Sequence, residues 1–382
     1  MSNVSYKEVA ACIDSHAEEA LDFLIRICDI DSPTEYKAGV DAVGACFLEH
    51  AEKEGWRIDV HHEPISGNAI CITMNGDAPL PPICLSGHMD TVHPIGLIKT
   101  HVEGDRLYGA GATDCKGGIA AALFAMKALK ECGYTKRPVK LILQSDEEGS
   151  SRHSEKRTVA FMAEMAKGCV AFLNAEGYRK GMLTTERKGI VRYTFHIKGA
   201  SVHASKCYDG ASAILEAAHK IIRIERLRDP DGITASCGII NGGTATNTVP
   251  DTCDFTVDFR YKTSAQLEEI RAFAKEVAAH STVAGTSCEL TLDSLRIHME
   301  KCEANEALFA RICEIFAECG IDPVTPYFST GGSDAADMTA HGIAAIDSIG
   351  TSGDGIHSPG EYTLIPSIAY SAKMMAAIVL HI

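Results

Sequence analysis

Several features that mark other classes of protein are missing from this sequence of 382 residues. No apolar run approaches the ~20 residues that a membrane-spanning helix needs, so we expect no membrane partner. The first residues, MSNVSYKEVAACIDSHAEEALDF, contain no basic segment followed by an apolar core, and therefore no secretory signal is predicted. Internal repeats and low-complexity linkers are also lacking, which is typical of an ordinary globular protein.

Paired cysteines and positive charge are scarce as well. The 15 cysteines are scattered without a Cys-x-x-Cys pair, which argues against a zinc ribbon. An odd number of cysteines suits a reducing compartment, so we expect a cytoplasmic protein in which they serve as small apolar residues. The formal net charge is −15, whereas binding of phosphate groups needs basic patches. Nucleic acid is therefore not expected as a partner.

Three short apolar segments are followed by residues that can carry chemistry. Ile83–Ser86, Val139–Gln144 and Cys169–Asn174 are apolar without alternation, which predicts buried strands. The first leads to a histidine, the second to two glutamates and the third to one glutamate. Ligands of open α/β sheets bind just beyond the carboxyl ends of the strands. The pattern therefore predicts an α/β fold with a functional site at that edge of its sheet.

A different pattern follows residue 186. Residues 190–198 alternate apolar and polar side chains, as a half-exposed antiparallel strand does. Helical and strand patterns then follow in a βαββαβ-like order, which predicts a small α+β insert of ferredoxin-like type over residues 187–297. Residues 1–186 and 298–382 would then form one discontinuous catalytic domain. Its predicted helices are 6–28, 38–54, 119–131, 305–319, 334–341 and 366–381.

Two of the candidate sites are weak when each is taken alone. His88 and Asp90 can point the same way from an extended segment, and a metal-bound imidazole usually needs a carboxylate to fix its tautomer. A capped strand end with a turn aspartate explains that pair equally well. Asp114 lies in the glycine-rich segment Tyr108–Gly118, where a phosphate loop is the alternative. However, the pattern GxxxxGK[ST] is absent, and Lys116 precedes the glycine pair.

Glu147 and Glu148 are more informative because they are adjacent at the end of a buried strand. Two such carboxylates are costly unless a cation neutralises them, although a solvated acidic turn is commoner for an isolated pair. One could bind a metal ion while the other takes a proton from water. The nitrogen and oxygen donors suit zinc and also permit manganese or cobalt. The joint set of candidates comprises His88, Asp114, the glutamate pair, Glu176 and His357.

With these residues collected, the chain resembles the di-zinc amidohydrolase and peptidase family. Its members include bacterial glutamate carboxypeptidase, peptidase T, acetylornithine deacetylase, succinyl-diaminopimelate desuccinylase and the aminoacylases. The resemblance runs essentially end to end, and it is carried by SGHMDTVHPIG, EGDRLYGAGATDCKGG, QSDEEGSS, NAEGY, GASVHAS, NTVPDTCDFTVDFR, STGGSDA and HSPGE. It implies a zinc-peptidase-like catalytic domain with a central mixed sheet. The insert would be a lid and dimerisation domain.

The resemblance also implies a set of metal ligands. His88 and Glu176 would bind one divalent ion. Glu148 and His357 would bind the other. Asp114 would bridge the two ions and be followed by a cis peptide bond. We therefore expect two divalent metal ions, zinc in the first place, with manganese or cobalt as alternatives.

Catalytic roles are implied for three further residues. Asp90 would orient His88. Glu147 would be the general base that activates a bridging water and later protonates the leaving amine. His203 would reach across a homodimer to stabilise the oxyanion.

The substrate would be bound by five residues according to the same resemblance. Asn247 and Arg260 would lie near its carboxylate, since arginine suits bidentate recognition of that group. A backbone-rich wall would be formed by Gly331, Gly332 and Ser333.

Two segments indicate which branch of the family the chain resembles most. Asp90–Gly96 (DTVHPIG) and Leu183–Gly189 (LTTERKG) resemble the glutamate-carboxypeptidase-like branch, although Cys115 stands where methionine or another residue is more usual. We therefore expect a carboxypeptidase or dipeptidase that cuts an amide bond next to a free carboxylate. An N-acyl-amino-acid deacylase is the nearest alternative, and its substrate would be an N-acyl amino acid instead of a small peptide. A non-catalytic binding relative and a phosphate-binding enzyme are more distant alternatives.

Overall fold

The computed structural model describes residues 4–382. The helices are α1 (Tyr6–Ser15), α2 (Ala17–Cys28), α3 (Lys37–Glu54), α4 (Lys116–Glu131), α5 (Arg157–Ala166), α6 (Ala213–Ile224), α7 (Ser264–Ala279), α8 (Glu303–Cys319), α9 (Asp334–Ala340) and α10 (Ile365–His381), with a 3₁₀ helix over Ala204–Asp209. The strands are β1 (Arg57–His61), β2 (Ala69–Met74), β3 (Ile83–His88), β4 (His101–Glu103), β5 (Arg106–Tyr108), β6 (Val139–Gln144), β7 (Phe172–Asn174), β8 (Met182–Arg187), β9 (Gly189–Lys198), β10 (Thr234–Gly242), β11 (Thr252–Tyr261), β12 (Ser287–Arg296), β13 (Thr325–Ser329), β14 (Ala345–Ile346), β15 (Gly353–Asp354) and β16 (Tyr362–Leu364).

The chain divides into two compact units. Unit 1 contains the residues up to Glu186 together with Lys301–Phe328 and Ser333–Ile382, and unit 2 contains Arg187–Glu300 and Ser329–Gly332. The second crossing between the units therefore lies after Glu300, slightly later than the boundary at residue 297 that the sequence suggests. Residues 329–332 belong to unit 2, whereas the sequence predicts them in the catalytic domain, residues 298–382. Their backbone contacts with Arg187 and Lys188 explain the difference.

A mixed sheet of six strands forms the centre of unit 1. Its strand order is β1-β2-β6-β3-β7-β14, and β3 runs parallel to both β6 and β7. All residues of β3 are buried, and so are all but one residue of β6, as their unalternating apolar sequences predict. The carboxyl ends of β6, β3 and β7 consequently lie side by side at one edge of the sheet.

Helix α4 is the central helix of unit 1. All its residues from Lys116 to Leu129 are buried, because α4 lies against β3, α1, α2 and α10. Small alanine side chains allow this close packing on all sides. The prediction of one helix over residues 6–28 is wrong, since His16 both ends α1 and begins α2. Within residues 4–382, none of the helices has the length and apolarity that crossing a membrane requires.

A smaller antiparallel sheet of unit 1 positions two functional loops. Its strand order is β15-β16-β5-β4. Strand β5 leads into the loop that carries Asp114, and the loop between β15 and β16 carries His357. Because Tyr108 of β5 pairs with Tyr362 of β16, the Asp114 loop begins next to the end of the His357 loop.

Unit 2 has the predicted βαββαβ order, in which β9, α6, β10, β11, α7 and β12 follow one another. Its antiparallel sheet has the strand order β10-β11-β9-β12, the arrangement of a ferredoxin-like fold. Alternate residues of β11 are buried, as its sequence predicts. The rings of Phe195 and Phe255 stack with their centroids 4.7 Å apart in the core of this unit.

Candidate metal centre

Three adjacent strand ends and two loops bring the predicted metal ligands together. His88 is the last residue of β3, Glu148 follows β6, and Glu176 follows β7. Asp114 comes from the loop between β5 and α4, and its peptide bond to Cys115 is cis, as the resemblance implies. All five predicted ligands, including His357, belong to unit 1.

Asp114 lies between the two histidines. Its Oδ1 is 3.1 Å from His88 Nε2, and its Oδ2 is 3.2 Å from His357 Nε2. Glu176 Oε1 lies 3.6 Å from the same nitrogen of His88. Glu148 Oε2 lies 3.3 Å from His357 Nε2. The five side chains therefore form two clusters that share one aspartate, which is the arrangement needed to hold two cations with a bridging carboxylate.

The electrostatics of this cluster indicate that it needs cations. Burial raises the pKa of Glu148 to about 7 and that of Glu176 well above its usual range. Hydrogen bonds with Asp114 and Glu148 raise the pKa of His357 to about 10. Burial would raise the pKa of Asp114, but its hydrogen bonds with His357 and His88 hold that pKa well below the ordinary value. Protons thus provide the positive charge that the buried carboxylates require, and divalent cations can replace them.

The donor atoms themselves fit divalent metal ions. Ligand atoms of His88, Asp114 and Glu148 all lie within 4.8 Å of one another. The N–H at Nδ1 of His88 donates to the main-chain carbonyl of Asp90 at 2.9 Å, so Nε2 carries the lone pair that faces the carboxylates. Burial raises the pKa of the adjacent Cys115 thiol, which donates to the carbonyl of Ala175 at 3.3 Å. Cys115 is therefore a neutral neighbour of the site.

Asp90 does more than the predicted orientation of His88. Its carbonyl makes the 2.9 Å contact with His88, whereas its carboxylate lies 3.5 Å from the same ring. The carboxylate accepts hydrogen bonds from the backbone N–H groups of Glu147 and Glu148 at 3.1 and 3.0 Å. It also accepts from the hydroxyl of Thr34 at 2.8 Å. Asp90 thus holds the loop that carries both glutamates.

Glu147 is buried next to the metal ligands. Burial is the largest cause of the raised pKa values of Glu148 and Glu176. The negative charge of Glu147 is a smaller cause in both cases. Glu147 is therefore close to a ligand from each cluster. This position suits a group that exchanges protons with a water molecule held between the clusters.

Glu361 is an important residue for which the sequence analysis predicted no role. Its two carboxylate oxygens accept hydrogen bonds from the backbone N–H groups of Gly111, Thr113 and Asp114 at 3.1, 2.9 and 3.0 Å. His93 Nε2 lies 2.6 Å from one of these oxygens. Both residues lie in segments that carry the family resemblance, HSPGE and SGHMDTVHPIG, which was the only available signal.

The glycine-rich segment near Asp114 does not serve as a phosphate loop. Lys116 is completely buried, and its ammonium group donates to the carbonyl of Ile30 at 2.8 Å. A side chain on Gly118 would meet the carbonyl oxygen of Ala175 at 1.9 Å. The glycine pair therefore allows α4 to pack against the loop that carries Glu176. This arrangement leaves the phosphate-binding alternative without its cation.

His203 and Asn247 are neighbours in unit 2. His203 pairs with Thr248, and the N–H of Ala204 donates to the carbonyl of Asn247 at 2.8 Å. His203 Nδ1 accepts the N–H of Ser205 at 3.3 Å, which leaves Nε2 as the protonated nitrogen of the neutral ring. The exposed His203 can therefore donate a hydrogen bond through Nε2.

Arg260 is held by an aspartate of its own strand. Its Nε donates to Asp258 at 2.5 Å, and one terminal nitrogen donates to the carbonyl of Thr330 at 3.2 Å. Arg192 donates to the same Asp258 at 2.8 Å. The guanidinium is therefore fixed in position, and its binding of a substrate carboxylate stays a prediction.

The residues predicted to form a backbone-rich wall for the substrate make hydrogen bonds within the protein. The carbonyls of Gly331 and Gly332 each accept a hydrogen bond from Arg187 at 3.3 Å. Ser333 caps α9 by accepting the N–H of Ala335 at 3.3 Å, and its hydroxyl donates to Asp347. Substrate contacts by these three residues stay a prediction.

Known proteins are similar to this chain in sequence and fold. The model of peptidase family M20/M25/M40 matches residues 84–381. Carboxypeptidase G2 of Pseudomonas sp. (strain RS-16) is 26% identical over 305 residues, which cover 78% of this chain and 73% of that protein. Succinyl-diaminopimelate desuccinylase of Nitrosospira multiformis is 28% identical over 261 residues, which cover 63% of this chain and 67% of that protein.

Two solved structures share the fold. A tripeptidase of Staphylococcus aureus superposes with a TM-score of 0.80 at 22% identity, covering 95% of this chain and 97% of that chain. A dinuclear metal-binding peptidase of family M20 from Bacillus subtilis has a TM-score of 0.71 at 16% identity, covering 96% and 98%. At such identities the two structures establish the fold alone.

Proposed function

Because this chain belongs to peptidase family M20/M25/M40, we propose that it hydrolyses an amide bond next to a free carboxylate, as a carboxypeptidase or dipeptidase. The observation that carries the proposal is Asp114, whose two oxygens face His88 and His357 at 3.1 and 3.2 Å. Family membership makes the chain a metallohydrolase with a dinuclear metal site. The choice of peptide substrate, and of zinc as the metal, is our proposal.

The chain's own residues have separate roles in this reaction. Two divalent ions, when bound by the two clusters, would polarise the amide carbonyl and lower the pKa of water. Glu147 takes a proton from the attacking water and later gives it to the nitrogen of the leaving amine. Asp90 keeps Glu147 in place through the backbone N–H of that residue at 3.1 Å.

Recognition of the free carboxylate is assigned to Arg260. A guanidinium suits a carboxylate because its parallel N–H groups match the two oxygens. Asp258 and Thr330 bind other N–H groups of Arg260, and they hold the side chain in one orientation. Because the side chain is already held in one orientation, substrate binding loses less side-chain entropy.

A homodimer is supported by the positions of His203 and Arg260 in unit 2. Arg260 pairs with Ile190 at one end of β9. The segment that holds His203 follows Lys198, at the other end of that strand. Eight strand residues span roughly 26 Å. One small substrate cannot contact both residues of the same chain, so we propose that His203 comes from a second copy. Asn247 lies beside His203, so it would come from the second copy as well, and not from the chain that supplies Arg260 as the resemblance suggests.

An N-acyl-amino-acid deacylase is the second candidate, and the similarity to a desuccinylase favours it. Both reactions use the same metal ligands and the same base. They differ in the group on the acyl side of the amide. The segment DTVHPIG and the relative named carboxypeptidase G2 favour the peptidase.

A substrate panel distinguishes these functions. Purified protein loaded with zinc, manganese or cobalt would be tested on dipeptides, N-acetyl and N-succinyl amino acids, and the C-terminal amide of each peptide. We expect hydrolysis of peptides that have a free carboxylate and much slower hydrolysis of their amides. Preference for the acyl amino acids would support the deacylase. No hydrolysis of any compound, with two metal ions per chain measured, would overturn the catalytic proposal in favour of a binding relative.

A further inference from the structure

A second group of metal-type ligands lies in unit 1, where α1, α2 and α4 meet. Cys12 is in α1, His16 joins α1 to α2, and Glu131 is the last residue of α4. One ligand atom from each of these three residues lies within 4.8 Å of the others. Glu131 Oε2 is 2.8 Å from His16 Nε2 and 3.3 Å from Cys12 Sγ. The reaction proposed above uses none of these residues.

A fourth potential ligand, Cys132, lies directly after Glu131. Burial, the hydrogen bond to Glu131 and the nearby Cys132 raise the pKa of the Cys12 thiol to about 12. Burial likewise raises the pKa of Cys132, and the next largest influence on it is a hydrogen bond with Cys12. The two thiols are therefore neighbours, and Cys132 adjoins the group of Cys12, His16 and Glu131 through its hydrogen bond with Cys12. Two sulfurs, one imidazole nitrogen and one carboxylate oxygen form a set that zinc accepts in tetrahedral geometry.

The surroundings of His16 match those of a metal-bound imidazole. Its Nδ1 lies 2.8 Å from a carboxylate oxygen of Glu19. The carboxylate of Glu19 in turn accepts from the ammonium group of Lys127 at 2.6 Å. Metal-bound histidines almost always donate the N–H of their other ring nitrogen to a carboxylate, a main-chain carbonyl or water, which fixes the tautomer and the ring orientation. With Nδ1 held by Glu19, Nε2 faces Glu131 and Cys12.

This group is separate from the catalytic centre. Helix α4 begins at Lys116, next to the Asp114 loop, and ends at Glu131. A helix of that length spans roughly 22 Å, so the two groups lie at opposite ends of α4. Removal of ligands at one end can therefore be tested without removing ligands at the other.

We propose that Cys12, His16, Glu131 and Cys132 form a structural zinc site that ties the junction of α1 and α2 to the end of α4. Binding of Zn²⁺ would displace one proton from each thiol, and the solvent would take up both protons. His16 binds as a neutral imidazole, and Glu131 binds as a carboxylate. All four positions are then filled by protein, as in closed structural sites and unlike a catalytic site with an open position.

Metal counting tests the proposal on the full-length protein. Reduced, metal-free protein would be loaded with zinc, and bound zinc would be measured per chain by mass spectrometry after removal of excess. We expect three zinc ions in the unmodified protein and two in the variant with both Cys12→Ala and Cys132→Ala. The matched control carries Cys313→Ala and Cys319→Ala, two half-buried thiols of α8, and should keep three.

Cobalt provides a second measurement that does not depend on catalysis. Protein loaded with Co²⁺ should show sulfur-to-cobalt charge-transfer absorption, and the Cys12 and Cys132 double variant should lose it. Glu19→Gln keeps all four ligands and should weaken zinc binding at this site by about 10–100-fold. Equal zinc counts in the unmodified protein and a folded double variant, without thiolate absorption, would overturn the proposal. If the double variant does not fold, an unchanged zinc affinity in Glu19→Gln together with absent thiolate absorption in the unmodified protein would overturn it.

Discussion

The carboxylate of Glu361 accepts the backbone N–H of Asp114 at 3.0 Å, although the two residues lie far apart in the sequence. The same carboxylate accepts the N–H groups of Gly111 and Thr113. His93 Nε2 lies 2.6 Å from the carboxylate oxygen that also accepts from Gly111. Glu361 thus sets the conformation of the loop from which Asp114 reaches both histidines. The shared ligand of the metal centre therefore depends on an acceptor that binds the main chain of its loop.

Replacement of Glu361 by Gln should weaken metal binding. An amide keeps one acceptor oxygen and replaces the other by an NH₂ group, so at least one backbone N–H of the loop would lose its acceptor and Asp114 would be held less firmly. Loss of an outer partner of this kind typically lowers metal affinity or activity about 10–100-fold. Zinc titration calorimetry on metal-free protein measures the effect. Glu103→Gln, on exposed strand β4, is the control, and equal affinities in both variants would contradict the positioning role.

Replacement of Glu147 by Gln should separate catalysis from metal binding. The amide cannot take a proton from water, whereas the five ligands stay in place. General acid–base groups typically contribute about 10²–10⁴-fold to the rate, and we expect kcat to fall by that factor. Metal content should be unchanged. Glu155→Gln, an exposed residue nearby, is the control; retained turnover in Glu147→Gln would remove Glu147 from the base role.

Arg260 and Arg192 offer a matched pair for substrate recognition. Both donate to Asp258, but only Arg260 is proposed to bind the substrate carboxylate. A hydrogen bond to a charged group contributes about 1.5–3 kcal/mol, so Arg260→Met should raise KM for a free-acid peptide by roughly 10–100-fold. Hydrolysis of the corresponding C-terminal amide should change little. The same KM increase in Arg192→Met would assign the effect to Asp258 instead.

Mixing two inactive variants tests the role of His203 across a dimer. His203→Ala protein and Glu147→Gln protein would each have low activity. A hybrid dimer contains one site with both residues intact, so an equal mixture should recover at most about a quarter of the wild-type activity. Absence of recovery, with subunit exchange demonstrated by mass spectrometry, would show that His203 does not act on the partner's site.

We expect the folded protein to lose stability in mild acid because of the buried side chain of His50. It is packed against Phe124 and Trp56, with ring centroids 5.7 and 6.0 Å away. Burial lowers the pKa of His50 below its ordinary value of 6.5, so the folded protein binds this proton less readily than the unfolded chain. The resulting stability is present above pH 6.5 and is lost as the pH falls below it. His50→Leu should therefore reduce the difference in melting temperature between pH 7.5 and pH 5.5.

The control for that measurement is His62→Leu, because His62 is exposed. It should leave the pH dependence as in the unmodified protein. Equal pH dependence in both leucine variants would show that other groups cause the acid instability.

Local sequence determined the fold class and the strand ends that carry chemistry. The unalternating apolar runs at β3 and β6 predict buried strands, and neighbouring parallel strands bring the residues that follow them together. The sequence alone therefore places His88, Glu147 and Glu148 at one edge of the sheet. The βαββαβ order of unit 2 followed in the same way from the spacing of its apolar residues.

Only the tertiary structure specifies the hydrogen-bond partners of the loops that carry the metal ligands. The carboxylate of Asp90 holds the loop of Glu147 and Glu148, and Glu361 holds the loop of Asp114. The break at His16 also depends on contacts with α4 that helical periodicity does not report. Periodicity records which face of an element is buried, because burial repeats with the geometry of that element. Hydrogen bonds between distant loops leave no such repeat, so only the folded chain specifies which polar groups become partners.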